Sequence, residues 1–165
     1  MKTYFYILFF SILFIPILCF GNVKPLAAYK VNDEWHFIDS TGKEIFSSKE
    51  IYDVLGFAEG FYRITKKEGR KEKYIYLNEK GETVLEPKCD MAMDFSFGRA
   101  MVIVNLDENK EFNKFGFIDK AGNTIVPITY NDATSFTEGL AYLMDDRERG
   151  YIDTTGKFVF KLETN

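Results

Sequence analysis

The sequence predicts an all-β fold, a tandem array of four three-stranded antiparallel β-meander repeats, and three observations carry that reading. The first is internal repetition. PLAAYKVNDEWHFIDSTGK at residues 25–43 aligns without a gap on GLAYLMDDRERGYIDTTGK at 139–157, and two further copies centre on KYIYLNEKG (73–81) and KFGFIDKAG (114–122). Units of this length are supersecondary pieces that bury their apolar faces on their neighbours. The second is composition: 17% of residues are aromatic, with 17 Phe and 10 Tyr, an enrichment that favours strands. The third is that no stretch keeps apolar residues at helical spacing over three turns.

The elements follow in order. A strand reading WHFID (35–39), YIYLN (74–78), FGFID (115–119) or RGYID (149–153) is followed, three residues after its last acid or amide, by Gly42, Gly81, Gly122 or Gly156. Asp or Asn caps such a turn with its side chain, and the glycine supplies a positive φ, so a hairpin with a bulge is expected. The second strand is KEIF (43–46), ETVLEP (82–87), NTIVPI (123–128) or KFVFKL (157–162). Connectors ending at Gly60, Gly98 and Gly139 come next, with room for a single helical turn. The third strand is FYRITK (61–66), RAMVIVNL (99–106) or LAYLMD (140–145). Phasing the repeat from this third strand, with Leu26–Val31 as its first copy, gives four whole units at about 26–46, 60–86, 99–128 and 139–162. An open, solenoid-like array is expected, with a propeller-like ring as the alternative.

Residues 1–21 read as targeting rather than fold. Lys2 is a minimal positive start, Tyr4–Ile15 is apolar apart from Ser11, and Cys19-Phe20-Gly21 puts small residues at the −3 and −1 positions of a cut after Gly21. That is the layout of a secretory signal peptide. The alternatives are an uncleaved anchor at residues 4–20, at the short limit for a bilayer span, and lipidation at Cys19. The protein is therefore expected to be exported (periplasm, cell surface or secreted), with residues 22–165 as the repeat domain. Cys89 is then alone, so no disulfide framework is expected. Net charge is −4 with both signs interspersed, which offers no basic patch for nucleic acid.

The repeated pattern resembles a known family. GFID, glycine, VIP, a Tyr-Asp pair, Phe-x-x-Gly and Leu-Ala, best kept in KFGFIDKAGNTIVPITYNDATSFTEGLAYL of the third unit, is similar to the WG repeat, also called the KWG repeat. The copies are degenerate: His36 follows Trp35, Gly116 follows Phe115 and Gly150 follows Arg149, so no Trp-Gly pair is intact. The resemblance implies a bacterial repeat module with no catalytic residue set to carry over.

Each residue that stands out has a structural explanation. Asp39, Asn78, Asp119 and Asp153 are expected to cap turns rather than hold calcium, which needs six or more converging oxygens. His36, the only histidine, lies on a strand with no nucleophile beside it in the sequence. Cys89 stands where other units carry Tyr52 and Tyr130 and is expected to fill a small core position. Phe57, Phe95 and Phe136, with Phe37, Tyr76, Phe117 and Tyr151, form columns expected to build a core ladder. The net-basic 66–72 loop is expected to be a solvated hairpin tip. Trp35, Tyr29 and Tyr142 are the candidate binding residues, with no catalytic or metal-binding residue and no cofactor expected. The expected function is a non-catalytic module that binds a protein or surface polysaccharide. The alternatives are an envelope spacer or a small hydrolase. Membrane contact is expected only through an uncleaved N-terminal segment.

Overall fold

The computed structural model describes residues 25–105 and 113–163. The expected signal segment at 1–21, the alternative anchor at 4–20 and Cys19 lie outside them. The described residues form four antiparallel sheets in which every strand pairs with its neighbour in sequence. The first holds β1 (Pro25–Val31), β2 (Glu34–Asp39) and β3 (Glu44–Ser48). The second holds β4 (Asp53–Ala58), β5 (Phe61–Glu68), β6 (Lys71–Leu77) and β7 (Thr83–Leu85). The third holds β8 (Met91–Ala92), β9 (Arg99–Asn105), β10 (Asn113–Asp119) and β11 (Thr124–Tyr130). The fourth holds β12 (Asp132–Ala133), β13 (Leu140–Met144), β14 (Arg149–Asp153) and β15 (Phe158–Leu162). The all-β array of four repeats is the architecture the repetition predicts: among the described residues each buried cluster joins successive sheets, and no strand of the first sheet pairs with one of the fourth.

The connectors depart from the expected helical turn. Each runs back along the strand that follows it, as β4, β8 and β12, so the last three sheets have four strands rather than three. The cause lies in the dipeptides Glu59-Gly60, Phe97-Gly98 and Glu138-Gly139, whose φ angles are all positive, 50° and 89°, 53° and 71°, and 51° and 79°. Two successive positive φ values make the two-residue turn whose twist suits a hairpin. The connector is thereby folded onto the next strand instead of coiling.

The four capped turns form as the spacing predicts. Asp119 Oδ1 accepts the N–H of Ala121 at 2.9 Å and of Asn123 at 2.8 Å, and Asp39, Asn78 and Asp153 repeat the arrangement. The following glycines have φ between 82° and 86°. These side-chain bonds fix where each hairpin reverses, and so set which residues face the neighbouring sheet.

The core lies in the three seams between successive sheets. Phe37 meets Tyr62, Ile64 and Leu77 at the first, Tyr76 meets Phe95 and Val102 at the second, and Phe117 meets Phe136, Leu143 and Ile152 at the third. Two members of the expected ladder are not buried: Phe57 is 40% exposed and Tyr151 43%. Phe57 lies past the register shift between Val54 and Gly56, and the small side chains of Ala27 and Ala28 across the seam leave its ring uncovered. Tyr151 belongs to the last sheet, whose outer face no described residue covers.

Candidate functional site

The first seam holds a cleft, for reasons that begin with side-chain size. At the register position opposite Phe37 the first sheet carries Ala28, where the second carries Arg63 and the third Met101. The missing volume leaves a cleft of about 290 Å³ lined by Ala27, Ala28, Trp35, Leu55, Phe57 and Tyr62, among others. Its walls are aliphatic and aromatic, the chemistry of a ligand groove. Trp35 is anchored in it: the indole N–H donates to the Tyr52 carbonyl at 3.3 Å. Tyr62 forms the floor, its hydroxyl buried without a hydrogen-bond partner among the described residues. Burial, helped by the nearby Glu79 carboxylate, pushes that phenol up to about 12.

Cations frame the rim of the same seam. Lys67 Nζ lies 4.0 Å from the centre of the Tyr52 ring, and Lys30 Nζ lies 6.0 Å from it and 5.9 Å from that of Trp35. Lys66 is held by Glu50 at 2.7 Å, and this bond keeps the Glu50 carboxyl below its ordinary range. The tip of the 66–72 hairpin is exposed, its ends joined by the Glu68–Lys71 pair.

The three candidate binding residues do not converge. Trp35 faces the first seam. Tyr29 points to the other side of the same sheet, 44% exposed, where its ring stacks on His36 at 5.1 Å. His36 Nδ1 is 2.7 Å from Glu44 Oε2. Tyr142 lies in the fourth sheet, edge-on to Tyr151 at 5.7 Å. Leu55 and Phe57 complete the cleft beside Trp35; the sequence pointed to Phe57 only as a core-ladder residue and did not single out Leu55. The signal for them was the small pair Ala27-Ala28, which marks the seam that cannot close.

The remaining polar groups are used structurally. Each turn carboxylate spends its Oδ1 on backbone N–H groups, and among the described residues no three His, Cys, Asp or Glu side chains are placed to hold a metal ion. Cys89 packs at the edge of the second seam beside Tyr76 and Ala92. Burial, with Asp90 adding to it, pushes its thiol up to about 12, so the nucleophilic thiolate is scarce at neutral pH. No helix among the described residues is long and apolar enough to cross a membrane.

Two segments of the chain, residues 76–106 and 115–146, match the family model described as WG containing repeat. The chain carries WG repeats. No curated relative matches it. The matched segments show how the WG repeat is phased on the structure. Residues 76–106 run from β6 through β7 to β8 and β9, and 115–146 from β10 through β11 to β12 and β13. Each WG repeat thus joins the last two strands of one sheet to the first two of the next. The repeat in sequence is the seam in space, and the residues it fixes are those that hold neighbouring sheets together.

Proposed function

We propose that the protein is an exported, non-catalytic module that binds an extended segment of a partner protein along the outer edge of β1, with side chains of that segment entering the cleft at Trp35, Leu55 and Phe57. One observation carries the reading. Strands β5, β9 and β13 each have a connector strand on one side, whereas among the described residues β1 pairs only with β2. A strand edge with unpaired N–H and C=O groups is a template for strand addition. Here it borders an apolar cleft that supplies selectivity. Export is supported by the signal-like layout of residues 1–21.

The rim favours a second reading. Trp35 and Tyr52 with Lys30 and Lys67 offer rings for stacking and cations for carboxylates, which suits an acidic surface polysaccharide. Both readings are tested by capture from envelope extract and by direct binding to purified surface polysaccharide. Wild-type protein is compared with Leu55→Asp and Phe57→Ser, changes at positions 36% and 40% exposed that lie outside the buried cluster of the first seam. Retention at least tenfold weaker in both variants is expected. Capture that neither variant weakens, or no partner and no polysaccharide bound, overturns the proposal.

A further inference from the structure

A different face of the molecule carries an independent inference. Cross-strand register gives every sheet one equivalent triple: Ala28–Phe37–Phe46, Arg63–Tyr76–Leu85, Met101–Phe117–Val126 and Tyr142–Tyr151–Phe160. In the first three sheets the central residue is at most 1% exposed, covered by the sheet that follows. In the fourth, Tyr151 is 43% exposed and Phe160 57%, with Leu140 and Leu162 beside them on the same face. These side chains leave roughly 400 Å² of apolar surface in one patch, the scale at which a monomer's surface marks an interface.

We propose that this face binds the same face of a second copy, forming a two-fold dimer. The opposite end of the array argues against head-to-tail stacking. There the first sheet shows Tyr29 stacked on His36, with His36 bonded to Glu44, a polar outer layer of the kind that caps a repeat array. Laying the fourth sheet's aromatic row on that layer would desolvate the Glu44 carboxylate against apolar rings. The fourth sheet's own face has no such cost and is self-complementary in charge. Residues 149, 151 and 153 share one side of β14, so Arg149 and Asp153 flank Tyr151. A two-fold axis lying across the strands sets Tyr151 on its mate and each Arg149 against the Asp153 of the other copy.

Two copies together cover roughly 800 Å² of apolar surface, and the polar rim brings the total toward the lower bound of specific interfaces. The expected dissociation constant is therefore about 1–100 μM. Sedimentation velocity on the purified chain from about 1 to 500 μM is expected to show a monomer–dimer equilibrium. Tyr151→Lys and Phe160→Lys should each weaken it at least tenfold with unchanged melting temperature. Oxidised Tyr151→Cys should run as a covalent dimer. Monomer at every concentration overturns the proposal. So does assembly beyond two copies, or association that Tyr29→Lys abolishes and both lysine variants at the fourth sheet leave intact.

Discussion

Arg63 grips Asp94 across the second seam, with Nε 2.8 Å from Oδ1 and Nη2 3.3 Å from Oδ2, while Nη1 donates to the Ala92 carbonyl at 3.0 Å. The fork sits over Gly56, where an added Cβ would lie 2.6 Å from both Asp94 oxygens. The Arg63 side chain is only 15% exposed, so removing its partner leaves a mostly desolvated charge. Asp94→Ala is expected to lower the unfolding free energy by about 2 kcal/mol. The double variant Arg63→Met, Asp94→Ala is expected to lose less than the single one, because no charge is left behind. Urea denaturation of the three proteins checks both.

Phe37 and Tyr151 hold the same place in their repeats and should respond very differently to truncation. Phe37 is fully buried at the first seam, with the Phe46 ring 4.0 Å and the Tyr62 ring 4.7 Å away. Phe37→Ala opens a cavity there and should cost about 3–5 kcal/mol. Tyr151→Ala should cost under about 1 kcal/mol in dilute solution, where the outer face is not covered. Chemical denaturation at low micromolar concentration separates the two values.

The turn glycines offer a second contrast within one motif. Gly42 and Gly81 have φ of 83° and 82°, so alanine is strained at either. Beside Gly42 there is open space, whereas a Cβ on Gly81 would lie 2.6 Å from the Phe46 ring of the preceding sheet. Gly42→Ala should cost about 1 kcal/mol and Gly81→Ala clearly more, because Phe46 must move out of the first seam. Thermal melts of the pair measure the difference.

Stability should fall at both ends of the pH scale. The carboxyls of Asp39 and Asp153 are held below their ordinary 3.8 chiefly by the hydroxyls of Thr41 and Thr155, and that of Asp119 chiefly by the side-chain amide of Asn123. A depressed folded-state value means their stabilisation is present above the unfolded value and is lost as pH drops below about 4. Burial of Tyr62, with Glu79 adding to it, raises its phenol to about 12. Its contribution is complete below the unfolded value of about 10 and disappears as pH climbs from there to 12. Melting temperature against pH should show a plateau with two falling limbs, and Tyr62→Phe should flatten the alkaline one.

Much of the fold was legible because the repeat states it four times. Asp119 and Gly122, read as a capped turn, form one, and so do their counterparts. The connectors were not legible as strands because Glu59, Phe97 and Glu138 are poor residues for a positive φ, so their turns lack the Asn-Gly signature. Phe57 and Tyr151 were misplaced for a different reason. A repeat pattern specifies a residue's position within its unit, but burial depends on which unit lies next to it. The same limit separated Trp35, Tyr29 and Tyr142, which face a seam, the first outer face and the last. The cleft depends on Ala27 and Ala28, whose small size matters only once Leu55 and Phe57 stand opposite.

Because each strand pairs only with its sequence neighbours, a chain leaving the ribosome can complete each sheet without waiting for later residues. Hydrogen-bond pairing and burial are then separate events in time. The first sheet can be fully paired while Phe37 and Phe46 are still wet, and they dry only when Tyr62, Ile64 and Leu77 have been synthesised. At every stage one aromatic row stands open at the growing end, and each new sheet covers the last row while exposing its own.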